Sequence, residues 1–123
     1  MFHEKLKQKI HIFITDCYEL FQYFPQEEKF GLVSQLRRAS ISIMLNYVEG
    51  YARRRDKVKL NFYEISHGSS QECKYILYFA CTQKWISDIQ YRNILMKVDE
   101  IGKMLWSTIV GLEKRIEDDS HVS

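Results

Sequence analysis

Apolar residues recur along the first two dozen positions at alternating spacings of four and three: Leu6, Ile10, Phe13, Cys17, Leu20 and Phe24. That alternation puts all six on one stripe of a helix, the heptad seam through which helices pack side by side. Pro25 ends the pattern, because proline has no amide donor and its ring clashes with the preceding turn. The spacing returns later as Tyr91, Ile94, Val98, Ile101, Leu105, Ile109, Leu112 and Ile116. Ser87 and Gln90, three residues apart just before it, match a reciprocal helix-start cap. Two further helices are expected between these seams. One runs from about Gln26 to about Glu49, with Glu27 and Glu28 at the positive end of its dipole and Gly50 placed to close it. The next starts at Asp56 as N-cap, carries Leu60, Phe62, Ile65, Ile76, Phe79 and Ala80, and stops near Trp85. One proline and five glycines leave little to punctuate a sheet. The expectation is an all-α chain: a single antiparallel up-down-up-down four-helix bundle over residues 1–123, with 116–123 a frayed tail.

The second helix has an unusual pattern. Gln35, Arg38, Ser42, Asn46 and Glu49 share one narrow face, with Leu32, Ala39 and Ile43 on one flank and Ile41, Leu45 and Val48 on the other. A polar line between two apolar flanks reads as a central helix. Burying Arg38 and Glu49 without partners would be costly, so a matching polar line is expected on the third helix, namely Asn61, Glu64, Gly68 and Glu72. Arg38 and Glu72 are the expected buried ion pair, in a polar core completed by Ser42, Asn46, Glu49 and Gly68. Gly68 in mid-helix costs about 1 kcal/mol of helix propensity and is read as the close approach of helix three to helix two. Glu49 lies at a helix C-terminus, where the dipole disfavours a carboxylate. Arg53, Arg54 or a residue of an adjacent subunit is expected to compensate it.

Phe30-Gly31-Leu32, Gln35-Leu36-Arg37-Arg38-Ala39, Ser42-Ile43, Asn46, Glu49-Gly50, Gly68-Ser69 and Glu72 together resemble the four-helix-bundle proteins encoded in intervening sequences of bacterial 23S rRNA genes. That family is related to the accessory variability determinant of diversity-generating retroelements. The resemblance spans roughly Phe30 to Trp85, departing at Tyr47-Val48, where a smaller Ile-Ala pair is usual, and at Ser70, where an apolar residue is usual. It implies a homo-pentamer of bundles packed side by side around an axis, and it strengthens a nucleic-acid-binding reading. The residues independently permit assembly, since Ile14, Phe21, Val33, Met44 and Leu77 lie outside the seams and exceed what one four-helix core needs.

Charge adds a location. The net charge is only +2, but residues 31–60 hold seven Lys or Arg against two acids, a local +5, while residues 98–123 hold three basic against six acidic, a local −3. Arg53, Arg54, Arg55, Lys57 and Lys59 cluster at the turn between helices two and three, and Arg37 projects onto the outer face of helix two. Guanidinium groups can grip phosphate oxygens bidentately, so these six residues are the candidate nucleic-acid contacts, with Tyr51 beside them as packing or as a stacking surface.

Catalytic chemistry finds no comparable pattern. Cys17, Cys73 and Cys81 lack metal-ligand spacing, and Cys17 sits on an apolar seam as a core thiol. There is no Gly-rich phosphate loop and no HExxH, so no metal, cofactor or catalytic residue is expected. His3 and His11 share no face with a nucleophile and base, and His67 reads as helix packing or surface. Arg115 and His121 meet the spacing of helical ribonucleases of the HEPN type, but without the polar residue those place after the arginine. The expectation is a non-enzymatic, self-assembling helical scaffold that binds RNA or DNA. The alternatives are an accessory module for a protein partner such as a reverse transcriptase and, more remotely, a small ribonuclease. With no secretory h-region and no apolar run near the ~20 residues of a membrane span, a cytoplasmic, membrane-free protein is expected.

Overall fold

The computed structural model describes residues 1–122, Val122 by its backbone only. Among these the chain forms α1 (Phe2–Leu20), α2 (Leu32–Ala52), α3 (Asp56–Thr82) and α4 (Asp88–Val122), with short 3-10 turns at Phe21–Tyr23 and Gln26–Glu28 and no strand. Each helix packs against two of the others, α1 against α2 and α4, and α3 against α2 and α4. Cross-contacts run in opposite order along every adjacent pair. His3 of α1 meets Tyr47 of α2, whereas Arg37, early in α2, lies over Tyr18 and Phe21 at the far end of α1. Asp56 opens α3 against Arg115 late in α4, while Cys81 near the end of α3 meets Asp88 at the start of α4. Neighbours are therefore antiparallel.

Both heptad seams become core. Leu6, Ile10, Phe13, Cys17, Leu20 and Phe24 are buried, as are Ile94, Val98, Ile101, Leu105, Ile109 and Leu112. The Ser87–Gln90 cap forms in both directions, Ser87 N donating to Gln90 Oε1 at 2.8 Å and Gln90 N to Ser87 Oγ at 3.1 Å. The segment expected as a frayed tail continues α4 as far as Val122, with Ile116 packed against the core, while Ser123 lies outside the described residues. α3 ends at Thr82, before Trp85, in a Schellman-type turn. Lys84 takes the left-handed conformation at φ 64° that glycine usually fills, and Trp85 N donates to Ala80 O at 2.9 Å.

The middle of the chain departs from expectation. Gln26–Glu28 forms only a 3-10 turn, and α2 starts at Leu32, whose amide donates to Glu28 Oε1 at 3.0 Å. The stripe on α2 is not central. Gln35 and Arg38 are exposed, and Ser42, Asn46 and Glu49 are half-buried. Val33, Leu36, Ala39, Ser40, Ile43, Tyr47 and Gly50 form the buried face, while Leu45 and Val48 remain 63% and 41% exposed. A one-sided amphipathic helix with a second, solvent-facing apolar flank explains the pattern equally well. The apolar surplus is also placed differently: Val33 and Leu77 are buried and Ile14, Phe21 and Met44 pack against the core, so Leu45, Val48 and Ile65 stay exposed instead.

The α2–α3 seam is built from small polar residues rather than an ion pair. Arg38 donates to Gln35 on its own helix, and Glu72 is exposed, so the expected Arg38–Glu72 pair does not form. Asn61, Glu64 and Gly68 are exposed too. Instead Ser66 Oγ donates to Ile43 O at 2.7 Å, and the Ser42 and Ser69 hydroxyls meet at 2.8 Å. Asn46 Nδ2 donates back to Ser42 O at 2.9 Å. Both family departures are accommodated: Tyr47 stacks on Tyr63 with centroids 5.6 Å apart and hydrogen-bonds His3 Nδ1 at 2.9 Å, and buried Ser70 donates to His67 O of its own helix at 2.6 Å.

α3 packs tightly over Gly50, which lies inside α2 rather than beyond it. A Cβ there would lie 2.7 Å from Tyr63 Cε1 and 3.1 Å from Phe62 Cβ, whereas a Cβ on Gly68 would meet nothing within 4 Å. Gly50→Ala should therefore destabilise the protein by about 1–3 kcal/mol through overpacking. Gly68→Ala should stabilise it by about 0.5–1 kcal/mol, since it only removes backbone freedom from an open helical site. Thermal or urea unfolding of the two variants checks the opposite signs.

Candidate nucleic-acid interface

At the end of the bundle where α2 passes into α3, the chain reverses through three arginines. Arg53 and Arg55 adopt extended backbone, with ψ of 153° and 130°, which interrupts the helical path between α2 and α3. The six basic candidates divide by what they touch. Arg53 is paired with Glu49 one turn back and lies 5.5 Å from the Phe62 ring centroid, which supplies the compensation that the carboxylate needs. Lys59 Nζ donates to Gly50 O at 3.3 Å and Tyr51 O at 3.0 Å, capping the carbonyl end of α2 where the dipole favours a cation. Arg37 lies 16 residues before Arg53 on α2, roughly 24 Å along the axis, with Tyr18 and Phe21 under its guanidinium. Arg54, Arg55 and Lys57 are exposed and, among the described residues, have no hydrogen bond or ion pair from their side chains. The turn thus holds three uncommitted cations beside two that bind the fold together.

Asp56 does not cap α3. Its carboxylate accepts from Arg115 Nε at 2.9 Å and Nη2 at 2.7 Å, a bidentate clamp between the start of α3 and the far end of α4. The Arg115 hydrogen bonds and charge hold the Asp56 carboxyl below the usual carboxylate range and push the guanidinium up. A hollow lined by Arg55, Lys57, Val58, Ile116 and Asp119 lies alongside, so an acid of the negatively charged tail faces the basic turn. Neither the clamp nor this juxtaposition has a local signature, because the partners are about sixty positions apart.

Tyr51 does not present a free ring. His3 stacks on it with centroids 3.4 Å apart and planes 16° from parallel, and Lys59 Nζ lies 5.7 Å from its centroid. Burial is the largest influence on His3 and lowers its pKa. The thiols are equally unsuited to nucleophilic work. Burial raises Cys17 well above its ordinary value and Cys73 to about 12, and Cys81, which donates to Asp88 Oδ1 at 3.4 Å, is raised by burial and by that carboxylate. Arg115 is committed to Asp56, and His121 lies exposed 3.9 Å from Glu117. Among the described residues no group of three or more His, Cys, Asp or Glu could hold a metal ion, and no helix is long and apolar enough to cross a membrane.

The Asp56–Arg115 clamp has a pH signature. A carboxyl whose pKa is depressed in the folded chain contributes stability that is fully present above the ordinary carboxylate pKa of about 4, and that is lost as pH falls through the lower folded value. Asp56→Asn should lower the melting temperature modestly at neutral pH, because the pair is solvent-accessible and screened, and should make no difference at about pH 2. Melting curves of both proteins across that range would show it; a difference that persists in acid would mean that the clamp acts through packing instead.

The comparisons agree with this architecture. A crystal structure from Bacteroides thetaiotaomicron VPI-5482, of a protein of unknown function from the S23 ribosomal protein family, superposes with a TM-score of 0.78 at 27% identity, covering 85% of this chain and 97% of that one. No match is found among curated proteins. The family model for the 23S rRNA-intervening sequence protein matches residues 4–107, the bundle as far as the middle of α4, and the chain belongs to that family.

Proposed function

We propose that this protein is a non-enzymatic helical scaffold that assembles with copies of itself and binds RNA or DNA through the α2–α3 turn. The observation that carries the reading is the uncommitted state of Arg54, Arg55 and Lys57. Other cations are paired between helices, as in Lys9 with Glu100 at 2.7 Å, Lys74 with Asp99 at 2.8 Å and Arg115 with Asp56. Three exposed cations on one extended turn suit a phosphate backbone, which needs charge at intervals and no particular base sequence. Membership of a family named for rRNA intervening sequences is consistent with such a ligand.

The assembly part rests on α2 and α3. Leu45, Val48 and Ile65 lie exposed on the outer face of these helices, close to the half-buried Asn46 and Glu49. Pairing this face with the same protein would bury apolar area on every subunit and repeat the basic turn by symmetry, turning weak single contacts into avid binding. Five copies is the proposed number, in the cytoplasm. The same apolar face suits a protein partner such as a reverse transcriptase, and that is the second reading.

Two measurements test the proposal. Light scattering coupled to size exclusion should give a mass well above the 14.8 kDa of one chain at micromolar concentration. A stable monomer would reject assembly, and a dimer or tetramer only the number. The combined variant Arg54→Ala, Arg55→Ala, Lys57→Ala should keep its helicity and assembly while affinity falls across all sequences and the slope of log affinity on log salt becomes shallower by about two to three units. No binding by the parent at low salt would leave the protein-partner reading standing.

A further inference from the structure

Between α3 and α4, on the side of the bundle away from α1, lies an open hollow of about 520 Å³ lined by His67, Gln71, Gly102, Lys103, Trp106 and Ser107. Trp106 is 55% exposed and meets protein through the His67 ring, 5.3 Å away at 46°. One turn earlier on α4, Gly102 is buried, and a Cβ there would come within 3.5 Å of Gln71 Nε2. The missing side chain keeps the floor of the hollow clear beside the indole face. Among the described residues no hydrogen bond engages the Gln71 amide, the Ser107 hydroxyl or the His67 ring, so donors and acceptors remain around a flat, open slot. Burial lowers the pKa of His67. Lys103 supplies an exposed charge at the rim, while Lys74 is paired with Asp99.

The hollow does not end there. Ser107 also lines a second one, of about 430 Å³, that continues past Gly111 to Lys59 and Arg115, at the same end of the bundle as the basic turn. From Gly102 to Arg115 the path covers 13 helical residues, about 20 Å, or three to four nucleotides of an extended strand.

We infer that this α3–α4 groove holds an unpaired base of single-stranded nucleic acid stacked on Trp106, with the strand leading along the groove to the basic turn. The inference rests on the nucleic-acid reading above and specifies its ligand. An indole face bounded by amide and hydroxyl edges and a lysine matches a base with its phosphate, and every base offers a π face for stacking. A duplex keeps those faces covered, so it can use the basic turn but not the groove.

The test uses the full-length protein carrying Trp85→Phe, which leaves Trp106 as the single tryptophan, because the chain has two. It is titrated at low salt with a single-stranded oligonucleotide, the duplex of the same sequence and a mononucleotide. The strand should quench Trp106 fluorescence at concentrations far below those the mononucleotide requires, and the duplex should bind without quenching. In the otherwise unaltered protein, Trp106→Ala should weaken single-strand binding by about tenfold to a hundredfold and leave duplex binding and the salt slope unchanged, with Trp106→Phe intermediate. Strand binding with no quenching, equal losses for strand and duplex, or a mononucleotide as effective as the strand would each overturn the groove assignment while the basic-turn reading stood. No binding of any nucleic acid would overturn both.

Discussion

Close approach of α2 and α3 is the constraint on which the other placements depend. Two helices can come together only where one offers almost no side chain, and here Gly50 lies under the Tyr63 ring while Ser66 and Ser69 of α3 are buried and bond α2. Buried hydroxyls would be costly if unpaired. Ser66 reaches across to the Ile43 carbonyl, Ser42 meets Ser69, and Ser40 and Ser70 bond carbonyls of their own helices, so among the described residues no buried side-chain polar atom lacks a partner. This hydroxyl seam sets the rotation of α2. Ala39, Ile43 and Tyr47 turn inward, and Arg38 and Leu45 must then turn out.

The same rotation determines which charges are available. Lys59 is drawn to the carbonyl end of α2 and Arg53 to Glu49, both because a helix C-terminus concentrates negative potential. Arg115 and Asp56 clamp the adjacent helices. At this turn Arg54 and Arg55, with Lys57 on the first turn of α3, are left exposed without such a pairing among the described residues. Cations adjacent in sequence therefore differ in whether the fold engages them.

How much of this was legible beforehand depends on the range over which each feature is decided. The core faces of α1 and α4 were readable because each has one apolar stripe and a polar remainder, so periodicity leaves one solution. The Ser87–Gln90 cap was readable because both partners lie within one turn. On α2 a polar line stands between two apolar flanks, and periodicity gives no means of telling which flank meets its own chain. Ala39 and Ile43 do; Leu45 and Val48 do not. The glycines show the same limit: Gly68 looked like the contact and Gly50 like a terminator, yet Tyr63, thirteen positions after Gly50, reverses those roles.

Local sequence by itself determined that this chain makes four helices, where most of them start or stop, which faces of the outer two are core, and that basic residues concentrate at one turn. It determined these because hydrogen bonding, proline geometry and apolar spacing act within a few residues. Tertiary structure alone decided the rotation of α2, the serine seam, the pairing of Asp56 with Arg115 across 59 positions, and the separation of structural from available cations. Those outcomes depend on which surfaces come within a few ångströms of each other, and that distance is set by the packing of all four helices together.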